Sequence, residues 1–245
     1  MYEQRIYRDS LKKGDLDHFL VEVKESDLWI GLSKGTDIGK LKEISTTKLT
    51  QVRKEIGEYI KTDPGFGESL TPHRVADNAP EIVRQMSESC ARANVGPMAG
   101  VAGAIAEYIG RELLQYSKEV VVENGGDIFL ALDRKRTVGI YTRNPKFSDK
   151  LALEVKAQDT PLGICTSSGM MGHSKSFGKA DAVVAVSKSA SLADACATAV
   201  GNMIQGSEDI DLALEYAQTI EGLIGIVVIK DDRMGAWGNI TLVSS

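Results

Sequence analysis

Apolar residues at 19–23, interrupted by Glu22 and Lys24, and a second apolar run at 28–32 are separated by Glu25 and Ser26. This spacing predicts an antiparallel hairpin, followed by a flexible turn containing Gly31, Gly35 and Gly39. The period then changes to that of a helix. Leu49, Val52, Ile56 and Ile60 predict a helix over 45–61, stopped by Asp63-Pro64-Gly65. The polar, turn-rich stretch 64–80 carries His73 beside Arg74 and reads either as a linker or as a long ordered loop; at this level the pair is a surface feature or meets a phosphate or carboxylate. Pro80 opens a second helix to Ala93, with Ile82, Met86, Cys90 and Ala93 on one stripe. The small-sided segment after Pro97, rich in Gly and Ala, suits close packing on a sheet, or the close approach of another backbone or a flat ligand.

Short apolar runs at 120–122, 128–132, 137–141, 151–155, 162–165, 182–186, 223–229 and 240–243 predict strands, and 209–218 a further helix. Asn124-Gly125-Gly126-Asp127 joins the first two runs as a sharp turn with positive φ. Strands, some plainly antiparallel, mixed with helices indicate an α+β (mixed α/β) fold. We expect one domain over 1–245, with a hairpin region to about 45 and a core over 46–245.

Candidate chemistry concentrates in 163–202. A strand ending at Cys165 enters a Ser/Gly-rich loop over 166–178, and Ser191 is expected to cap a helix running to about Met203. Ser191, Asp194, Thr198 and Asn202 share one face of that helix, opposite Leu192, Cys196, Ala199 and Met203. A carboxylate and a hydroxyl at i,i+4 suit a hard cation such as Mg²⁺. The same spacing also describes a solvated face on which Asp194 favours the helix dipole. Cys165, at a strand end beside a loop, reads either as an exposed thiol or as a half-buried strand residue, whereas Cys90 and Cys196 lie on apolar stripes.

Composition narrows the function classes. A net charge of −5 argues against general nucleic-acid binding, no apolar run reaches the ~20 residues of a membrane span, and the opening segment has no apolar export signal. A cytoplasmic protein with reduced thiols is expected. Its three cysteines include no C-x-x-C pair that would mark a zinc or iron–sulfur site.

Three blocks in order, P-M-A-G-V-A-G-A-I-A-E (97–107), V-V-E-N-G-G-D-I (121–128) and A-D-A-C-A-T-A (193–199), resemble the ApbE-like superfamily, whose best-known members are FAD-dependent protein FMN transferases. The likeness is closer to a short cytosolic branch marked by T-S-S-G-x-x-G-H-S-x-S-F-G-x-A-D-A, here 166–182. The resemblance implies an ApbE-like fold and a FAD or FMN site. Asp194 and Thr198, supported by Asp127, would hold Mg²⁺. Asn124, Gly125, Gly126, Thr166, Ser167, Ser168 and Gly169 would contact the nucleotide, the loop acting partly through backbone amides. The chain departs from the transferases in lacking their H-x-x-D-P-x-x-G loop and the lysine of their small-residue helix, which speaks against FMN transfer to a protein threonine.

The short branch also implies a role in sulfide assimilation into homocysteine. On that first reading Cys165 is a thiol nucleophile with His173 nearby, a persulfide or small molecule is the sulfur donor, and enzymes of sulfide assimilation are the partners. The alternatives are a Mg²⁺-dependent flavin or nucleotide binder, and a non-catalytic scaffold with a vestigial cleft. A homo-oligomer is expected in each case.

Overall fold

The computed structural model describes residues 14–142, 144–148, 150–168 and 177–244. The predicted hairpin is present as β1 (Asp17–Val23) and β2 (Ser26–Leu32), paired from Asp17↔Leu32 to Val23↔Ser26. Of the three glycines expected in the following turn, only Gly35 is there. Gly31 lies inside β2, where the Trp29 ring covers it, and Gly39 is in the first turn of α1 (Ile38–Thr62). This helix starts seven residues before the expected Ser45 because the Asp37 side chain accepts from the Lys40 amide at 3.1 Å and caps it. Leu41, Leu49, Val52 and Ile56 form its buried stripe.

The 64–80 stretch is an ordered loop rather than a linker. It contains a short helix α2 (Pro64–Glu68), and His73 Nε2 meets Asp63 Oδ2 at 2.9 Å. The Gly96 amide donates to Leu70 O at 3.0 Å. Pro80 precedes α3 (Glu81–Arg92), and a 3₁₀ turn (Pro97–Gly100) leads into the small-residue helix α4 (Val101–Leu113).

The remaining elements are β3 (Val120–Asn124), β4 (Asp127–Ala131), β5 (Arg136–Gly139), β6 (Leu151–Val155), β7 (Leu162–Ser167), β8 (Ala182–Ser187), α5 (Ala190–Met203), α6 (Ile210–Gln218), β9 (Leu223–Lys230), β10 (Arg233–Gly238) and β11 (Thr241–Ser244). β10 was not anticipated, because R-M-G-A-W-G contains two glycines and no alternation. It forms an outer hairpin with β9 through a turn in which Asp231 has φ 54. Ser189, not Ser191, caps α5: its side chain accepts from the Leu192 amide, while buried Ser191 donates to Gly100 O at 3.3 Å. The run S-K-S-A-S offers three serines, and periodicity does not choose among them.

Eight strands form one antiparallel sheet in the order β1-β2-β3-β4-β7-β8-β9-β10, and β11-β6-β5 form a second. Helices cover one face of the large sheet and the small sheet covers the other. β8 shows why such strands are apolar throughout: Val183 and Ala185 face the helix-side core, while Ala182, Val184 and Val186 face the inter-sheet core. The fold is therefore α+β, with the functional motifs on the helix-covered face of the central strands.

Candidate functional site

Asn124 and Asp127 face each other across the β3–β4 turn, in which Gly125 and Gly126 have φ of 71° and 103°. Two consecutive left-handed residues make a two-residue hairpin that only glycine adopts without strain. The turn projects both polar side chains toward the start of α4. There the Ala102–Gly103 peptide is held from both sides: Asn124 Nδ2 donates to the Ala102 carbonyl at 3.1 Å, and the Gly103 amide donates to Asp194 Oδ2 at 2.9 Å. Gly103 belongs to the first turn of α4, whose amides have no intrahelical acceptor. A carboxylate from another helix thus fills a role usually taken by a local cap.

The close approach of α4, α5 and β7 depends on small residues. A methyl at Gly103 would overlap the Ala190 carbonyl oxygen, and one at Gly163 would overlap the Ala190 backbone. At the far end of β7, Ser167 Oγ lies 3.4 Å from where a Cβ on Gly201 would stand. Helix α5 therefore runs along β7, presenting Ala190, Asp194, Thr198 and Gly201 at i, i+4, i+8 and i+11 toward the strand that carries Cys165 and Ser167.

The electrostatics are those of two neighbouring carboxylates with no lysine or arginine paired to either among the described residues. Burial pushes Asp194 up to about 7, although the Gly103 and Ala102 amides pull it back. Taken as a whole residue Asp194 is half-buried, while its carboxyl group is enclosed by the surrounding helices and strands. Asp127 is 8 % exposed, and its Oδ1 has no hydrogen-bond partner among the described residues. Burial first, then the charge on Asp194, raise it well above the usual carboxylate range. A buried carboxylate oxygen without a donor is costly unless something fills its valence.

Cys165 corrects an expectation. Its side chain is not exposed at a strand end but fully buried on the helix side of β7, and its thiol donates to Ala190 O at 3.3 Å. Burial, then the charges of Asp127 and Asp194, push the thiol well above the ordinary range. The reason is register: β7 extends through Ser167, two residues further than its apolar run suggested, which places Cys165 under α5. Cys90 and Cys196 are buried as expected; Cys196 is pushed up to about 12 by burial and by Asp194.

Of the other candidates, Gly125 is exposed and Gly126 half-buried in the turn, its amide donating to Glu123 Oε1 at 2.8 Å. Thr166, Ser167, Ser168 and Thr198 are half-buried. Gly169 and His173 lie outside the described residues. The structure thus brings Asn124, Asp127, Cys165 and Asp194 together and sets Ser167 and Thr198 along the same helix–strand seam. Sequence reasoning assigned no role to Glu107, a buried carboxylate at the end of the small-residue motif that accepts from the Ala190 amide. Its signal was an acid inside an otherwise apolar run, A-I-A-E-Y-I. His73 is committed to Asp63 and is not part of this region.

The architecture places the chain in a known class. The apo flavinyl transferase ApbE of Pseudomonas stutzeri matches with a TM-score of 0.53 at 13% identity, covering 94% of both chains. The ApbE protein of Thermotoga maritima matches with a TM-score of 0.53 at 12% identity, covering 92% of this chain and 96% of that one. Likeness at this identity defines an ApbE-like fold. A family model described as AbpE bacteria matches residues 8–231, and UPF0280 proteins align along most of the chain. That of Methanococcus vannielii is 40% identical over 225 residues, 90% of each chain, and that of Methanocaldococcus jannaschii 41% over 223 residues, 89% of each. The chain belongs to this ApbE-like family.

Proposed function

We propose that the protein binds a flavin nucleotide through a divalent cation held at Asp127 and Asp194. The observation that carries this reading is the buried, partnerless Asp127 Oδ1 beside a second carboxylate, with no Lys or Arg paired to either acid among the described residues. Two acids crowded in a low-dielectric site call for a cation. Among the described residues there is no cluster of three or more His, Cys, Asp or Glu side chains that would cage a metal alone. That donor set fits Mg²⁺, which retains waters and takes one or two carboxylates together with substrate phosphate oxygens. Thr198, one turn beyond Asp194, supplies a hydroxyl on the same side of α5. When bound, the cation neutralises phosphate charge; the chain's own part is to hold the carboxylates, present the first-turn amides of α4, and keep the floor apolar with Cys165 and Ala190.

Solved relatives in fold bear the name flavin transferase, and a divergent transferase is the activity this site would serve. A Cys165-based sulfur transfer is not favoured, since a thiol this buried with a raised pKa is a poor nucleophile. Calorimetric titration of the protein with FAD and with FMN, in excess Mg²⁺ and in EDTA, tests the proposal. Binding that strengthens at least tenfold with Mg²⁺ is expected. Binding absent at millimolar flavin, or indifferent to Mg²⁺, rejects it.

A further inference from the structure

Glu107 is 2 % exposed, yet its carboxylate makes four hydrogen bonds. Oε1 accepts from Arg111 Nε at 2.9 Å and Nη2 at 2.7 Å, and Oε2 accepts from Ser189 Oγ at 3.0 Å and the Ala190 amide at 2.8 Å. The last two bonds grip the cap and the first residue of α5. One turn back on α4, the Gly103 amide holds Asp194, which is one turn forward on α5. The two helices are therefore tied twice, by Glu107 to Ala190 and by Gly103 to Asp194. Ala190 is the shared anchor: its amide is taken by Glu107 and its carbonyl by the Cys165 thiol. The Glu107 tie faces a cleft of about 650 Å³ between α3, α4 and the start of α5, lined also by Arg84, Arg92 and Leu192. Glu107 is one helical turn away from the acids and touches neither.

We infer that Glu107 is a positioning residue for the Asp194 carboxylate, fixing the first turn of α5 so that Asp194 meets both the Gly103 amide and the cation. This rests on the flavin–cation reading above. Groups that fix the orientation of a metal ligand typically change metal affinity by about 10–100-fold when removed, and Glu107 does so at one remove, through the first turn of α5 and not through a bond to Asp194.

The test uses the full chain with FAD as probe, measured in saturating Mg²⁺ and in EDTA. Glu107→Ala is expected to weaken Mg²⁺-dependent FAD affinity by about tenfold or more, while affinity in EDTA stays within about twofold. Glu107→Gln, which keeps an oxygen for the Ala190 amide and Ser189, is expected to restore affinity to within about threefold of wild type. Glu119→Gln is the control for general destabilisation: it disturbs a buried acid elsewhere and should lower thermal stability without changing the Mg²⁺ dependence. A folded Glu107→Ala protein with wild-type Mg²⁺ dependence overturns the inference, as does equal loss in Mg²⁺ and in EDTA. If Glu107→Ala does not fold, Ser189→Ala removes one tie and should shift the same Mg²⁺-dependent quantity by about twofold to threefold; no shift is equally decisive against it. Wild-type protein without Mg²⁺-dependent FAD binding removes the functional reading itself, a result distinct from a normal wild type and an indifferent variant.

Discussion

Two buried acidic regions of the molecule differ in one respect. At the end of the large sheet, Glu119 is 1 % exposed, and its carboxylate is met by Arg136 Nε and, at 2.8 Å, by Arg136 Nη2. Arg136 also bonds Asp15 Oδ1 at 2.8 Å, and Arg134 reaches the same aspartate. In the β4–α5 region, Asp127 and Asp194 are crowded together with neither a lysine nor an arginine paired to them among the described residues. The first region carries its own counter-charge and is complete as folded; the second has none among the described residues, and on the reading proposed above a cation from outside completes it. Burial alone does not separate a structural acid from a functional one, whereas the source of the compensating charge does.

The largest effect should come from breaking the self-sufficient region. Glu119→Ala leaves Arg136 with Asp15 alone as an acidic partner among the described residues, and breaking a buried pair of this kind costs about 3 kcal/mol. Chemical denaturation should show this loss in stability with FAD binding unchanged. A stability loss below about 1 kcal/mol would mean that the Arg136 cluster behaves as a surface pair, and the contrast would weaken.

Next comes the incomplete region. Asp194→Ala should reduce Mg²⁺-dependent FAD affinity by about 100-fold, equivalent to about 2.7 kcal/mol, and in EDTA should cost only the about 1 kcal/mol of a lost cap on the Gly103 amide. Asp127→Asn should act in the same direction with little change in the stability of the cation-free protein, because burial already favours the uncharged carboxyl there. Calorimetry and denaturation on the same samples separate the two quantities. Should Asp194→Ala destabilise the protein as strongly as Glu119→Ala while flavin affinity is untouched, Asp194 is a helix cap and nothing more.

The two regions also diverge in pH. With Asp194 raised to about 7 in the folded chain and near the ordinary aspartate value when unfolded, the folded state holds a proton that the unfolded state releases. This contribution is fully present below about pH 4, is lost as pH rises, and is gone above about pH 7. Cation-free protein should lose on the order of 1–2 kcal/mol over that range, discounted because the residue as a whole is only half-buried. Asp194→Asn should flatten the slope. The Asp15–Arg136 end works in the opposite sense: Arg136 holds the Asp15 carboxyl below its usual range, so its smaller contribution is present at neutral pH and lost in acid. Because a proton and Mg²⁺ compete for Asp194, flavin affinity in Mg²⁺ should rise from pH 6 to pH 8.

How far these regions were legible in the sequence follows from what carries their order. The hairpin at 17–32, the turn at Gly125-Gly126 and the i,i+4 pair Asp194 and Thr198 are local patterns, and spacing predicts them. The burial of Cys165 is not local: it depends on β7 running two residues past its apolar core and on α5 lying over it, contacts between residues 25 apart. The roles of Glu107 and Glu119 depend on partners 83 and 17 residues away, so no window of the chain displays them. The small-residue motif announced a close approach without saying of what; the answer, the Ala190 backbone, lies far along the chain from Gly103.

The smallest effect should be at Cys165, the thiol beneath the acid pair. Removing it leaves a small gap and takes one weak S–H donor from the Ala190 carbonyl, which as a helix residue has its i+4 amide as well, and this should cost about 1 kcal/mol. Cys165→Ala should keep Mg²⁺-dependent FAD affinity within about threefold. In the native protein, iodoacetamide should label none of the three buried thiols faster than the chain opens, and all three after denaturation. Mass spectrometry of a native time course reads this directly. Fast labelling confined to Cys165, together with loss of flavin binding in Cys165→Ala, would make the thiol part of the working site and return sulfur chemistry to the acid pair. Slow labelling with intact binding leaves the thiol as floor packing, with the missing charge at Asp127 and Asp194 as the feature that sets this region apart.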